Sequence, residues 1–408
     1  MKKKKETIST GIIALLISQI LIKIVGLAYK LYLTNKQGFG DTGNAIYSGG
    51  FQIYALLLTF SSTGVPNAIS KLVSERVAIG DNKGAHKIFK IAFFTFALLG
   101  LVGTILLFIG AKVIANKWLE IPETEYSLIT LSPSIFFVSI TAVIRGYFNG
   151  LQNLSTTAKS QTIEQIFKTL LTIILVEIVA SLTRNNTILM AAVANLATTI
   201  ATIFSFIYIY MYYRFRRKEI GTDILQSVNY VPTRIRKTLK KILKESIPIS
   251  LSSLMSSFGK NIDLFTIVKS LKSFMPEEQA KIQYGILSGK IDTLCILPLS
   301  LNIPFVTGMV PTISRTVAQG DKEELNKKIN FFLKTTMLIA IPSTIGMIIF
   351  SEQIINLLFP NANSGAMLLK INGMSILFAM VAQTLNGALQ GIGKGNIPLL
   401  AYSLRNNN

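Results

Sequence analysis

Charged residues inside long apolar runs are the side chains of this sequence best placed to do chemistry. A charge in an apolar environment is costly, so such a residue usually has a charged partner or faces a polar cavity. The sequence contains these in-run charges: Lys23, Lys30, Arg145, Glu164, Lys168, Glu177, Lys260, Asp263, Lys290 and Asp292.

Two pairs of these residues have the spacing of ion pairs on one helix face. Glu164 and Lys168 are four residues apart, and Lys260 and Asp263 are three apart. An ion pair of this kind can have a purely structural role as readily as a functional one. Glu164 and Asp263 are therefore kept as candidates for gating or ion coupling, and a sodium or proton site at Asp263 is one form of that hypothesis.

Three lysines have no carboxylate three or four residues away. Lys23, Lys30 and Lys290 are predicted to bind an anion in a polar cavity, where each ammonium supplies charge-assisted hydrogen bonds that suit a pyrophosphate. Arg145 is a fourth candidate for that cavity. Lys30 and Arg145 lie near the ends of their apolar runs, so snorkelling to the headgroups is the alternative interpretation for them.

The chemistry of an enzyme is not indicated. Neither a zinc-hydrolase motif nor a nucleotide-binding P-loop occurs, and the single cysteine, Cys295, and single histidine, His86, offer no catalytic pair. We predict no catalytic residue, no metal site and no cofactor. Without a nucleotide site, any energy source is expected to be an ion gradient, the membrane potential or a partner.

The elements that carry these residues are long apolar segments. Half of the 408 residues are hydrophobic and 15% are charged. Uncharged runs as long as the roughly 20 residues that cross a bilayer as a helix occur at residues 42–70, 91–111, 185–213, 293–314 and 371–393. The sequence therefore predicts an all-α polytopic membrane protein.

Ten transmembrane spans fit the pattern: residues 7–34, 45–70, 88–111, 127–150, 158–182, 187–213, 246–268, 284–314, 330–350 and 366–391. Lys and Arg concentrate in the loops that share a side with the basic N-terminus, which predicts a cytoplasmic N-terminus. The long basic loop at residues 214–244 is either a topology determinant and linker or an amphipathic helix on the inner leaflet.

Two sequence patterns recur at nearly the same offset. The stretch VPNAISKLVSERVAIGD at residues 65–81 resembles VPTISRTVAQGD at 310–321, and NGLQN at 149–153 resembles NGALQG at 386–391. This predicts two six-helix bundles related by a pseudo-two-fold axis along the membrane normal. We expect an N-terminal bundle at 1–213, a basic cytoplasmic linker at 214–245, and a C-terminal bundle at 246–408 that is truncated before spans 11 and 12.

Several of these stretches resemble a known family. RGYFNGLQNLSTTAKSQTIEQIFK, VPNAISKLVSE with the following GD, and YGILSGKIDTL with VPTISRTVAQGDKEELNKKI are similar to the polysaccharide-biosynthesis branch of the multidrug/oligosaccharidyl-lipid/polysaccharide (MOP) exporter superfamily. Within it the chain looks like the stage V sporulation protein B type, related to the murein lipid II flippases of peptidoglycan synthesis.

The resemblance implies two bundles around a cavity that opens alternately to each side, and translocation of undecaprenyl-pyrophosphate-linked saccharides. It implies that Lys290 matches the basic residue of the family's span 8. Asp41 matches an acidic residue after span 1 and becomes a gating or coupling candidate. Lys23, Lys30 and Arg145 lie where family members also carry basic residues.

The resemblance also implies partners and a location. We expect a lipid-linked oligosaccharide as substrate, the lipid bilayer, cell-wall synthesis proteins as partners and no nucleic acid, in the bacterial cytoplasmic membrane. Two alternatives stay open. One is a cation-coupled drug exporter of the same superfamily. The other is a truncated, non-transporting membrane factor in cell-wall assembly.

Overall fold

The computed structural model describes residues 8–59, 65–151, 153–225, 227, 230, 232–319 and 321–392, and all its regular structure there is helical. In chain order the helices are α1 (Ile8–Asn35), α2 (Gly40–Thr59), α3 (Val65–Ala78), α4 (Asn82–Val113), α5 (Glu125–Gly150), α6 (Leu154–Thr183), α7 (Thr187–Phe215), α8 (Arg217–Leu225), α9 (Ile235–Lys272), α10 (Glu277–Ile286), α11 (Asp292–Gln319), α12 (Lys322–Ile349), α13 (Ser351–Leu358) and α14 (Ala366–Gly391).

Seven helical segments of the described residues are long and apolar enough to cross a membrane: Asn82–Trp118, Pro122–Gly150, Leu154–Thr183, Thr187–Phe215, Glu277–Asn302, Lys322–Ile349 and Ala366–Leu389. Their outward faces carry large exposed apolar side chains, such as Ile109 at 72% and Leu338 at 75% exposure. Lipid is the environment that such faces suit. The prediction of an all-helical, multi-pass membrane protein is confirmed.

The chain forms two compact units. Unit 1 comprises Met1–Tyr29 and Ile46–Ser273, and unit 2 comprises Lys30–Ala45 and Phe274–Asn408. The predicted bundle boundaries and pseudo-two-fold axis remain predictions. The basic N-terminus at residues 1–7 and the segment at residues 393–408 lie outside the described residues.

The basic loop at residues 214–244 is largely helical in its described residues and forms part of unit 1. It contains α8 and the first turns of α9. Ile220 and Ile242, at 7% and 0% exposure, belong to the same apolar core as residues of α3, α4 and α5. Lys241 forms an ion pair of 2.9 Å with Glu75 on α3. These contacts pack the loop into the core of unit 1.

The repeated Gly-Asp motif has the same local role in both units. The Asp81 carboxylate accepts a hydrogen bond from the Gly84 amide at 2.7 Å and caps α4. The Asp321 carboxylate accepts from the Glu324 amide at 2.9 Å and caps α12. An aspartate at this position satisfies one of the amides that a helix start leaves free. The sequence repeat thus corresponds to a repeated helix start.

The repeated Asn-Gly motif allows close helix packing in both units. A Cβ at Gly150 would lie 2.7 Å from Val73 Cβ, so α5 packs closely on α3. A Cβ at Gly387 would lie 2.7 Å from Met309 and Val306 side-chain atoms, so α14 packs closely on α11. Small residues permit this approach in membrane helices.

Candidate functional site

Lys290 lies in unit 2 on a single π-helical turn, Leu287–Ile291, between α10 and α11. Such turns place side chains in directions that a regular α-helix does not. The Lys290 side chain is completely buried and forms an ion pair with Asp41, whose Oδ1 lies 2.8 Å from Lys290 Nζ. Sequence reasoning left this lysine without an acidic partner because its partner lies 249 residues away.

Other acceptors complete the surroundings of the Lys290 ammonium. It donates hydrogen bonds to the Ala362 and Ser364 carbonyl oxygens, each at 2.7 Å, and to Asp41 Oδ2 at 3.0 Å. Ser364 Oγ in turn donates to Asp41 Oδ2 at 2.8 Å. An ammonium has three N–H donors, and these acceptors occupy all three donors of Lys290 in this conformation.

Two glycines bring Asp41 to Lys290. A Cβ at Gly285 would lie 1.9 Å from the Asp41 carbonyl oxygen, and a Cβ at Gly289 would lie 2.5 Å from Asn44 Cγ. Gly285 and Gly289 are four residues apart, so they present one bare helix face to the start of α2. This is the small-xxx-small pattern of close membrane helix packing. The motif GILSG at residues 285–289 is the sequence feature that indicates this close contact.

Arg145 and Glu164 form a polar network in unit 1. Arg145 Nη2 lies 2.8 Å from Glu164 Oε2, and the two side chains are 12% and 28% exposed. The guanidinium also donates to Ser160 Oγ at 2.9 Å and to Ser205 Oγ at 2.8 Å. Arg145 is therefore held between α5, α6 and α7.

Lys168 is the residue that sequence reasoning misassigned. Glu164, its predicted partner one turn earlier, pairs with Arg145 instead. Lys168 is 7% exposed, and its Nζ lies 4.1 Å from the Phe51 ring centroid and 5.2 Å from that of Tyr29. Within the described residues it makes no ion pair. It lies near the middle of the span Leu154–Thr183, where a buried charge is expected to be functional.

The surroundings of Lys168 are aromatic and hydroxylated. Phe51 stacks on Tyr47 with ring centroids 5.8 Å apart, and the Tyr47 and Tyr29 hydroxyls are 3.3 Å apart. Thr172, one turn beyond Lys168, has a buried hydroxyl that makes no hydrogen bond with the described residues. Buried polar atoms are nearly always satisfied by protein, water or ligand. The Thr172 hydroxyl is thus a buried polar group that the described residues leave unsatisfied.

The remaining predicted site residues are not brought together by the described contacts. Lys23 is half-buried in unit 1. Lys30 is buried in unit 2, at 6% exposure. The Asp263 and Lys260 side chains lie outside the described part of α9. The structure therefore pairs Arg145 with Glu164 and Lys290 with Asp41. It also adds Lys168 to the candidate site residues.

Comparison with known families identifies the chain. The polysaccharide biosynthesis protein family matches residues 8–317, which is more than half of the sequence. The chain belongs to this family. A second family, MatE, matches residues 293–406 of this polysaccharide biosynthesis protein. The resemblance seen in the sequence is confirmed.

Relatives of this family member include two Bacillus subtilis proteins. The lipid II flippase MurJ is 24% identical over 94% of this chain and 72% of its own length. The stage V sporulation protein B is 24% identical over 95% of this chain and 73% of its own length.

Solved structures share the fold. A multidrug resistance MATE transporter of the MOP superfamily, in an inward-facing conformation, superposes with a TM-score of 0.76 at 16% identity, covering 93% of this chain and 83% of the transporter. A MOP-superfamily transporter from Pyrococcus furiosus, described as having a binding pocket of reverse polarity, gives a TM-score of 0.64 at 16% identity, covering 98% and 86%. The polysaccharide biosynthesis protein therefore has the fold of MOP-superfamily transporters.

Proposed function

We propose that this protein is a flippase that moves undecaprenyl-pyrophosphate-linked saccharides across the membrane by alternating access. The observation that carries the proposal is Lys168, a cation buried in unit 1 with aromatic faces and no carboxylate against it in the described residues. An unneutralised cation at bilayer depth is stabilised when an anion binds, and a pyrophosphate supplies strong acceptors.

In the proposed mechanism Lys168 binds the pyrophosphate, while Lys23, Lys30 and Arg145 keep their predicted roles as basic residues of the substrate pathway. The tyrosine rings and orphaned threonine hydroxyl beside Lys168 suit the saccharide, since sugars offer both apolar faces and hydroxyls. The prenyl tail stays in lipid. The name of one Bacillus subtilis relative, the lipid II flippase MurJ, supports the same cargo class.

The roles proposed for Lys290 and Asp41 depend on their ion pair. Lys290 donates to Asp41 and to two carbonyls, so its predicted phosphate binding requires Asp41 to release it. Breaking this ion pair frees Lys290, which keeps Asp41 as a candidate gating or coupling residue. Glu164 is a second such candidate, because breaking its ion pair frees Arg145.

The proposal is tested by precursor flipping in bacterial cells depleted of their own lipid II flippase. We expect Lys168→Gln to reduce flipping about ten- to a hundredfold, the equivalent of one charged hydrogen bond. Lys168→Arg is expected to retain more flipping than Lys168→Gln. Lys159→Gln, an exposed position on the same helix, is the matched control and retains wild-type flipping. Wild-type flipping by Lys168→Gln excludes the role of this lysine.

The drug-exporter alternative gives a different result. In a cation-coupled exporter of cationic drugs, removal of the Lys168 charge leaves drug efflux unchanged or raises it, because a cation disfavours a cationic cargo. Measuring ethidium efflux in the same strains therefore separates the two functions.

We also propose that the protein lies in the bacterial cytoplasmic membrane with its N-terminus in the cytoplasm. Single cysteines introduced into a Cys295→Ala background report this orientation. Lys237→Cys is expected to resist a membrane-impermeant thiol reagent in intact cells, and Lys117→Cys is expected to react. The opposite labelling pattern rules out the orientation.

A further inference from the structure

A second candidate site lies in unit 1, away from Lys168. A cavity of about 550 Å³ is bounded by the first turns of α4, the last turns of α7 and the short helix α8. It is open on one side, and its lining combines basic, aromatic and apolar side chains. The proposed flipping reaction does not use it.

The basic residues of this cavity have no acidic partners in the described chain. Lys90, Arg214 and Arg217 line it, and all three are exposed. The acidic residue nearest to them in sequence, Glu219, is paired with Arg216. The cavity therefore has a net positive charge that favours an anionic ligand.

Aromatic side chains form the wall behind these cations. The Phe89 and Tyr213 ring centroids are 5.0 Å apart, and His86 stacks on Tyr213 at 6.4 Å. The buried Nδ1 of His86 makes no hydrogen bond with the described residues. Aromatic rings with polar tips concentrate at the level of the lipid headgroups.

An apolar surface leads out of the cavity along α4. Phe94 lines the cavity and is 72% exposed. Leu98 and Leu101, at 63% and 46% exposure, continue the same helix face, and Ile105 follows at 47%. Spacings of three and four residues align these side chains in one stripe that points away from the unit. An acyl chain suits this stripe, whereas a soluble anion makes no use of it.

We propose that this cavity binds a phospholipid with an anionic headgroup. The headgroup phosphate binds between Lys90, Arg214 and Arg217, the glycerol region lies against the aromatic wall, and one acyl chain lies along the exposed stripe of α4. The combination of charge complementarity and a continuous apolar path favours a lipid over free phosphate.

Native mass spectrometry of the full chain, released from nanodiscs, tests the proposal. The wild-type protein is expected to retain phosphatidylglycerol in preference to phosphatidylcholine. The triple variant Lys90→Gln, Arg214→Gln, Arg217→Gln is expected to lose that preference. Its retention of phosphatidylglycerol is expected to fall by at least about tenfold, because each basic residue adds to the binding free energy of an anionic headgroup.

Two matched controls separate this cavity from the general basic charge of the protein. Lys237→Gln, Lys240→Gln, Lys244→Gln removes the same number of charges from the start of α9 and is expected to retain the lipid. Gly221→Phe adds a ring at the cavity, where a Cβ meets open space, without changing charge. It is expected to reduce retention, whereas Gly346→Phe, also open at Cβ, leaves it unchanged.

Three outcomes overturn the proposal. They are equal retention of phosphatidylcholine and phosphatidylglycerol by the wild type, an equal loss in both triple variants, and displacement of the lipid by millimolar inorganic phosphate. A circular dichroism signal of wild-type intensity in each variant establishes that a loss of bound lipid is not due to unfolding.

Discussion

Lys168 and Lys290 are both buried lysines in membrane spans, but their surroundings are opposite. Lys290 in unit 2 is paired with Asp41 and donates to two carbonyl oxygens. Lys168 in unit 1 lies over Phe51 and Tyr29, with no acidic partner among the described residues. The first lysine is neutralised by the protein, and the second lacks a carboxylate partner.

Burial and residue type therefore do not identify a binding residue by themselves. A buried cation with a complete set of acceptors fixes the packing of its own unit. A buried cation facing aromatic rings has donors available for an anion. The assignment of function therefore depends on contacts between helices, which residue spacing along one helix does not predict.

The largest effect is expected from removing Lys290. Lys290→Met leaves the Asp41 carboxylate without its cation, which costs about 3–5 kcal/mol of stability. Thermal unfolding of the purified protein measures the loss as a lower Tm. Asp41→Asn in the same chain is expected to recover much of it. By contrast, Lys168→Met is expected to change stability by about 1 kcal/mol or less, since the loss of its cation–π contacts is offset by removal of a buried charge.

The comparison between the two lysines fails if both variants lower the Tm equally. It also fails if Lys290→Met unfolds at the wild-type temperature.

A smaller effect is expected at the glycines that bring Asp41 to Lys290. Gly285→Ala places a Cβ 1.9 Å from the Asp41 carbonyl oxygen, so α2 and α10 must move apart at a cost of about 1–3 kcal/mol. The Tm is expected to fall. Lys290→Met is then expected to lower stability less in the Gly285→Ala background than in the wild-type background. Strict additivity of the two changes excludes the coupling between packing and ion pair.

The smallest effects compare the two capping aspartates. Asp81→Ala and Asp321→Ala each remove a helix cap, which costs about 1 kcal/mol. Asp81 is completely buried and also pairs with Arg76 at 2.9 Å, whereas Asp321 is exposed. The Tm is expected to fall further for Asp81→Ala. An equal or larger fall for Asp321→Ala contradicts the contribution of the Arg76 pair.

Much of the fold was predictable from the sequence. Long uncharged runs required membrane helices, and the repeated Gly-Asp and Asn-Gly motifs have matching structural roles at Asp81 and Asp321 and at Gly150 and Gly387. These features depend on local chemistry, which the sequence displays directly.

The pairing of the charged residues was not predictable in the same way. Spacing predicted a Glu164–Lys168 pair, yet Arg145 on a neighbouring helix competes for the same carboxylate. Lys290 meets an aspartate 249 residues away, and only the Gly285–Gly289 spacing indicated a close helix contact there. Interhelical contacts depend on packing, so residue spacing alone misassigned Lys168.

The affinity of the purified protein for undecaprenyl pyrophosphate tests pyrophosphate binding by Lys168 most directly. It is measured for Lys168→Gln and for the exposed control Lys159→Gln on the same helix. We predict that Lys168→Gln weakens binding about ten- to a hundredfold, while Lys159→Gln retains wild-type affinity. Wild-type affinity in Lys168→Gln, or an equal loss in Lys159→Gln, contradicts pyrophosphate binding by Lys168.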